Sequence, residues 1–251
     1  MTGYGLSVSD PLAPLLDLPD VADAAAEARK QIDQLFGHQL LRRGSGPVSV
    51  EAALRGAHAS AALEGARYDL ESIRAGAVTD PVVQGSLRVA GALGSLVDTW
   101  SKAPLQVLAR LHVLAARDVL PSEALGRPRT DPEVAARLSA LSDLVTGGTE
   151  APAVVLAAIV HGELLVLAPF DGPGGLVARA AARLTLIAKG LDPKAVSVPE
   201  AGHLAREPEY IGATNAYATG TADGVRSWLK HYCAAVALGA DEGFAICEAM
   251  S

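Results

Sequence analysis

Apolar residues fall in blocks along the chain, and one block has no polar face at all. Residues 153–160 are all apolar, so a helix there is hydrophobic all round and has to lie inside a core. His161, Gly162 and Glu163 interrupt it after eight residues, well short of the roughly 20 that a membrane span requires. A loop follows, Pro169-Phe170-Asp171-Gly172-Pro173-Gly174-Gly175. Beyond it Leu176, Ala180, Leu184 and Ile187 recur at helical spacing on one face, while Arg179 and Arg183 stand one turn apart on another. Gly190 ends this segment, with Pro193 beyond. The pattern predicts a buried helix over 154–167 with Thr149 as its cap, a glycine loop, and a one-sided helix over 176–189.

Helical periodicity runs through most of the remaining chain. A polar helix is expected over 20–43, able to cap an open face or to pair with another chain. Ser49 is expected to cap a helix carrying Val50, Ala53, Leu54, Ala57, Ala61 and Leu63 that stops at Gly65, followed by a short turn over 70–75. Pro81 follows Asp80 in the first turn of a helix running to about Lys102. Pro104 opens another through Leu105, Leu108, Leu111 and Leu120. Residues 126–131 form the most loop-like interior stretch, and a helix over 132–146 ends at Gly147-Gly148. After Gly190, Val196, Val198 and Pro199 predict an extended crossing or short strand; helices over 210–219 and from Asp223 onwards complete the chain. The expected fold is all-α, a helical bundle around a central buried helix–loop–helix, with an N-terminal extension over 1–48 and a helical domain over 49–251.

Composition supports this architecture. The chain has 251 residues, half of them apolar, enough to bury a full core. Aromatics make up only 4% and alanine is abundant, which favours closely packed helices over a sandwich or barrel. A net charge of −7 argues against nucleic acid and anionic membranes as partners. Cys233 and Cys247 are the only cysteines, and on one helix they stand ~20 Å apart, too far to bridge. A reducing, cytoplasmic setting is therefore expected. Residues 1–20 have neither a basic start nor a long apolar core, so no secretory leader is expected. No His, Cys, Asp or Glu spacing suits a metal, and no G-x-S-x-G frames a serine nucleophile.

The glycine loop has a physical use. The first N–H groups of the helix after it have no internal partner, glycines let a ligand approach the main chain, and the helix dipole favours an anion. Gly172, Gly174, Gly175 and Arg179 are thus candidate anion- or nucleotide-binding residues. The plainer alternative is a turn between two buried helices with Arg179 and Arg183 solvated. A dinucleotide fingerprint fails on spacing: the third glycine is missing, and although Asp192 lies near the distance of a ribose-binding acid, no alternating strands surround the loop.

Several stretches, in order, carry a resemblance. Residues 168–179 are similar to H-P-F-x-[DE]-G-N-G-R-x-x-R, the motif of Fic proteins, whose fold is called fido. Without a gap, Ala168 stands at the histidine while Pro169, Phe170, Gly175 and Arg179 match. A one-residue gap after Phe170 instead matches Asp171, Gly172 and Gly174 and loses the register of Arg179. Ser60-Ala61-Ala62-Leu63-Glu64-Gly65 resembles the inhibitory-helix motif [ST]-x-x-x-E-[GN]. Leu111-His112 and Gly126-Arg127-Pro128-Arg129 resemble the helix and G-x-[YF]-R segment leading into the family's flap, and Val160-His161 the lead-in to the motif. Gly190-Leu191-Asp192-Pro193, the Tyr210 helix and residues 224–228 follow the usual tail, so the likeness covers roughly 49–238.

The resemblance implies a Fic-like fold. In its ordinary members it also implies AMP transfer from ATP to a target hydroxyl, with the motif histidine as base, the acid on magnesium, and the glycine loop and arginines on the phosphates. This chain departs at those positions. Ala168 accepts no proton, which by itself removes on the order of 10² to 10⁴ in rate. Leu176 replaces the first arginine, and Pro173 or Gly174 the asparagine. Residues 130–134 leave no room for the flap hairpin. A degenerate Fic-fold protein is therefore expected, with no catalytic residue, acting by binding a protein partner or a second copy of itself. ATP or another nucleotide is the ligand the resemblance implies, with Ser60, Glu64 and Gly65 as the inhibitory element and Glu64 within ~4 Å of Arg179 if the two form an ion pair. One alternative is a protein adenylyltransferase or related phosphate-group transferase with a non-standard site; another is a structural helical protein with a vestigial loop. His161, His112 and His58 read as hydrogen-bonded core histidines, and Trp100 and Trp228 as packing residues.

Overall fold

The structure, a computed structural model, describes residues 10–251. Residues 1–9, the start of the expected extension and of the stretch read for a leader, lie outside the described residues. Among the described residues there are thirteen α-helices and no strand.

After α1 (Ala13–Leu16), α2 (Val21–Phe36) turns Val21, Ala25, Ala28, Ile32 and Leu35 to the core at steps of three and four. The single helix expected over 20–43 is broken here. Gly37 closes α2, and His38, in extended backbone, caps α3 (Gln39–Arg43) by accepting the Leu40 N–H. A capping side chain next to a glycine offers the backbone another partner, and the polar periodicity runs on across the break. α4 (Gly46–Leu63) begins before Ser49, because Pro47 fits its first turn. The Ser49 hydroxyl is shared between the carbonyls of Ser45 and Lys194 and caps nothing.

Asp69 caps α5 (Leu70–Arg74), and Asp80 caps α6 (Pro81–Trp100) by accepting the N–H groups of Val82 and Val83. α7 (Pro104–Ala116) ends before Leu120, which lies in the turn beyond, and α8 (Pro132–Val145) follows the loop over 127–131.

α9 (Ala153–Leu167) and α10 (Gly174–Ala188) each bury eleven of their fifteen residues. Thr149 does not cap α9: its hydroxyl donates to Asp10 and accepts the Ala151 N–H, while Pro152 precedes the helix. Nor is α10 one-sided. It packs against α4, α6, α7 and α9, which cover residues 176–186 on every side, so Arg179 and Arg183 are buried rather than solvated.

The stretch around Val196 and Val198 is an extended crossing, tied to the last helix by Val198 N–H donating to Gly239 O at 2.9 Å. Three helices finish the chain: α11 (Pro199–Ala205), not foreseen, α12 (Glu207–Tyr217) and α13 (Ala222–Ala249). α13 lies against α2, α9, α11 and α12, and one continuous apolar cluster joins α2 to all of them. Trp100 and Trp228 are buried, donating to the Thr185 hydroxyl and the Ala158 carbonyl. Cys233 and Cys247 are buried and unpaired. No described helix is long and apolar enough to cross a membrane.

Gly239 permits the crossing to lie on α13. A Cβ there would meet the backbone of Val198 and Pro199 at 2.6 Å, atoms that have no rotamer to escape into. Gly239→Ala is expected to destabilise the protein by about 1–3 kcal/mol, lowering the midpoint of thermal unfolding by roughly 2–10 °C.

Candidate functional site

A guanidinium withdrawn from water has to place its five N–H donors elsewhere. Arg179 is 4% exposed, and two helices, α4 and α12, supply its partners. Nε donates to Ser60 Oγ at 2.7 Å, Nη2 to the Ser60 carbonyl at 3.0 Å and to Glu64 Oε1 at 2.7 Å, and Nη1 to the Tyr210 hydroxyl at 3.2 Å. Ser60 and Glu64 reach the same cation because they stand four residues apart, on one face of α4. The Ser60 carbonyl is among the last four of α4, which have no partner within the helix and carry its negative pole. Burial works against the charge on Arg179, but Tyr210 and Glu64 more than offset it and its pKa is raised.

Gly175 is the floor of this arrangement. A Cβ there would lie 2.0 Å from Glu64 Oε1 and 2.9 Å from Arg179 Nη1, so only glycine lets the carboxylate rest over the start of α10. The helix begins at Gly174, two residues earlier than expected. The sequence-predicted residues therefore separate into two groups. Ser60, Glu64, Gly175 and Arg179 converge. Gly172 (φ 76°) shapes the loop and faces Leu120, Gly174 donates its N–H to Gly172 O at 2.8 Å, and Gly65 (φ 90°) turns the chain away from α4.

Ala168 closes α9 in the left-handed region, φ 42°, just before the loop. The loop is held from outside by residues 112–129. His112, fully buried, donates from Nε2 to the Asp171 carbonyl at 2.9 Å, accepts the Gly126 N–H on Nδ1, and stacks on Phe170 with centroids 4.6 Å apart. Arg129 donates its N–H to Pro169 O at 2.8 Å and Nη2 to Leu167 O at 2.5 Å. His112 is thus a core histidine, as expected, but one that fastens the covering segment to the loop. Residues 127–131 run directly into α8, with no hairpin between.

On the inner side, the Tyr210 hydroxyl lies 3.0 Å from His161 Nε2. Burial, and then the charge of Arg179, hold the His161 pKa well below its usual value, so the ring is neutral. Burial raises that of Tyr210. One turn along α10, Arg183 donates to Glu200 Oε2 at 2.8 Å and to the carbonyls of Ala195 and Ser197. Asp192 is buried and accepts from Val196, Ser197 N–H and Ser197 Oγ, which leaves nothing for a ribose. Tyr210 was visible in the sequence only as a helix marker, and no spacing signal joins it to Arg179. No group of three or more potential metal ligands converges among the described residues.

α4 is anchored at its other end by Glu51, which accepts from Arg74 at 2.6 and 2.8 Å and from Arg55 at 2.7 Å, with Arg55 also donating to Glu242. Its hydrogen bonds to Arg74 lower the Glu51 pKa from 4.5 to about 2 against the cost of burial.

No protein-family model matches the chain, and no curated protein matches it. Solved structures do. It is similar to a Fic family protein from Desulfovibrio desulfuricans G20, with TM-score 0.75 and 20% identity over 89% of this chain and 74% of that one. Fic-1 from C. elegans gives TM-score 0.73 and 18% identity over 95% and 76%. A Fic domain containing signaling protein from Bacteroides thetaiotaomicron gives 0.62 and 13% over 91% and 99%. The chain has the all-α fold of Fic proteins.

Two measurements check this geometry. Ser60→Ala leaves the buried Arg179 Nε–H without its acceptor, and urea unfolding is expected to show a loss of about 1–3 kcal/mol. Because the folded-state pKa of Glu51 is depressed, its contribution to stability is complete above about pH 4.5 and falls away as the pH drops towards 2. Glu51→Gln should flatten the stability profile across that interval.

Proposed function

We propose that this chain is a degenerate member of the Fic family, without AMP-transfer activity, that acts by binding a protein partner, a second copy of itself included. The observation that carries this reading is the state of Arg179. Four of its N–H groups are committed within the protein, so the cation that would meet a phosphate is already neutralised and enclosed. Glu64 rests over Gly175, where the free N–H groups and dipole of α10 would otherwise attract an anion. ATP or another nucleotide is the regulator in this reading, and it enters only when the end of α4 moves aside. Ser60, Glu64 and Gly65 then serve as the inhibitory element that their similarity to [ST]-x-x-x-E-[GN] implies.

Loss of transfer follows from Ala168, which offers no base beside the loop, and from Leu176, which brings no second cation to a transferring phosphate. The neutral, buried His161 is committed to Tyr210 and is a poor substitute. Two buried, unpaired thiols agree with a cytoplasmic setting.

Incubation of the protein, and of Glu64→Gly, with labelled ATP and magnesium should give self-labelling at least ~10²-fold below that of an ordinary Fic transferase. Strong labelling that His161→Ala abolishes would contradict this and establish a transferase with a relocated base.

A further inference from the structure

Behind Arg179, helices α9, α10, α11 and α13 surround a cavity of about 10 Å³ lined by His161, Arg179, Arg183, Glu200, His203 and Tyr232. Two of these residues carry a buried nitrogen with no partner among the described residues, His161 Nδ1 and Arg183 Nε. Their side chains are built into the core, His161 at 1% exposure and Arg183 at 4%.

The hydrogen positions follow from the bonds already made. Arg179 Nη1 donates to the Tyr210 oxygen, so the Tyr210 hydroxyl hydrogen needs an acceptor, and His161 Nε2 at 3.0 Å is the one within reach. The neutral His161 ring then carries its proton on Nδ1. Two N–H donors, His161 Nδ1 and Arg183 Nε, are therefore left beside one small cavity that a carboxylate also lines. Space of about 10–15 Å³ holds one water, provided two to four polar groups meet it.

We infer that this cavity is a binding site for a single water molecule, which accepts from His161 Nδ1–H and Arg183 Nε–H and donates to Glu200. Water fits where an anion does not, since Glu200 already balances the charge of Arg183 at 2.8 Å and its carboxylate repels a second negative charge. The space is too small for phosphate. Held there, the water satisfies the Nδ1–H that the Tyr210 bond imposes on His161 and so supports that tautomer. That tautomer turns the Tyr210 hydroxyl hydrogen towards His161 and keeps the Tyr210 oxygen free to accept from Arg179. His161 and the water are thus positioning groups for Arg179, whether or not Arg179 ever meets a nucleotide.

The test is a high-resolution crystal structure of the full chain, with a bromide soak, combined with histidine ¹⁵N NMR. The expected result is one density peak within ~3 Å of both nitrogens, without anomalous signal, and an Nδ1–H tautomer at His161 whose proton shows a cross-peak to water. Ala182→Val, which narrows the cavity from its lining, should remove the peak and the cross-peak. A dry cavity in the wild type, a bromide signal in it, or an Nε2–H tautomer would each overturn the inference, and all three are read on the wild-type protein should the variant fail to fold.

Discussion

Burial of the Arg179 guanidinium is the constraint on which this architecture turns. A cation taken from water is tolerated only with a partner and hydrogen bonds for its donors, and removing one partner of a buried pair ordinarily costs about 3–5 kcal/mol. Glu64 retains some exposure, so its own share is smaller than that. Around this one group the chain has to supply a serine and a glutamate four residues apart on α4, a glycine at 175 and a tyrosine on α12. In the proposed reading, the bonds that hold α4 onto α10 are the bonds that keep Arg179 from an incoming anion, and opening the site means giving up part of the tertiary structure.

Closure is built from both sides of the loop. From within, α4 brings Glu64 over Gly175. From outside, His112 bonds the Asp171 carbonyl and stacks on Phe170, while Arg129 bonds the carbonyls of Leu167 and Pro169, fixing the backbone on either side of Ala168. Remote contacts secure both: Glu51 ties α4 to Arg74, Arg55 ties it to Glu242 on α13, and Arg183 ties α10 to the carbonyls of the crossing and to Glu200 on α11.

The sequence made the centre of the fold legible, because residues 153–160 have no polar face and admit only a buried position. Helix starts with an Asp before a Pro, such as Asp80, were legible for the same local reason. The approach of Glu64 to Arg179, at 2.7 Å, was foreseeable from a resemblance between two distant stretches and not from periodicity. What could not be read depends on partners far along the chain. Arg183 looked solvated because Glu200 and the carbonyls that bury it lie beyond Gly190; Tyr210 and the covering role of His112 were hidden likewise. Thr149 and Ser49 have the composition of caps, yet Asp10 and the Lys194 carbonyl take their hydroxyls. α11 was obscured by the β-branched Val196 and Val198 before it.

Equilibrium binding of ATP, followed by calorimetry on the wild type, Glu64→Gly and Glu64→Gly/Arg179→Ala, addresses the closure of the site most directly. If Glu64 holds the pocket shut over Arg179, the single variant should bind at least ~10-fold more tightly than the wild type, a difference of about 1.4 kcal/mol, and the double variant should lose that gain. Equal affinity with and without Glu64 would contradict the inhibitory role, and an unchanged gain in the double variant would show that Arg179 is not the residue being released.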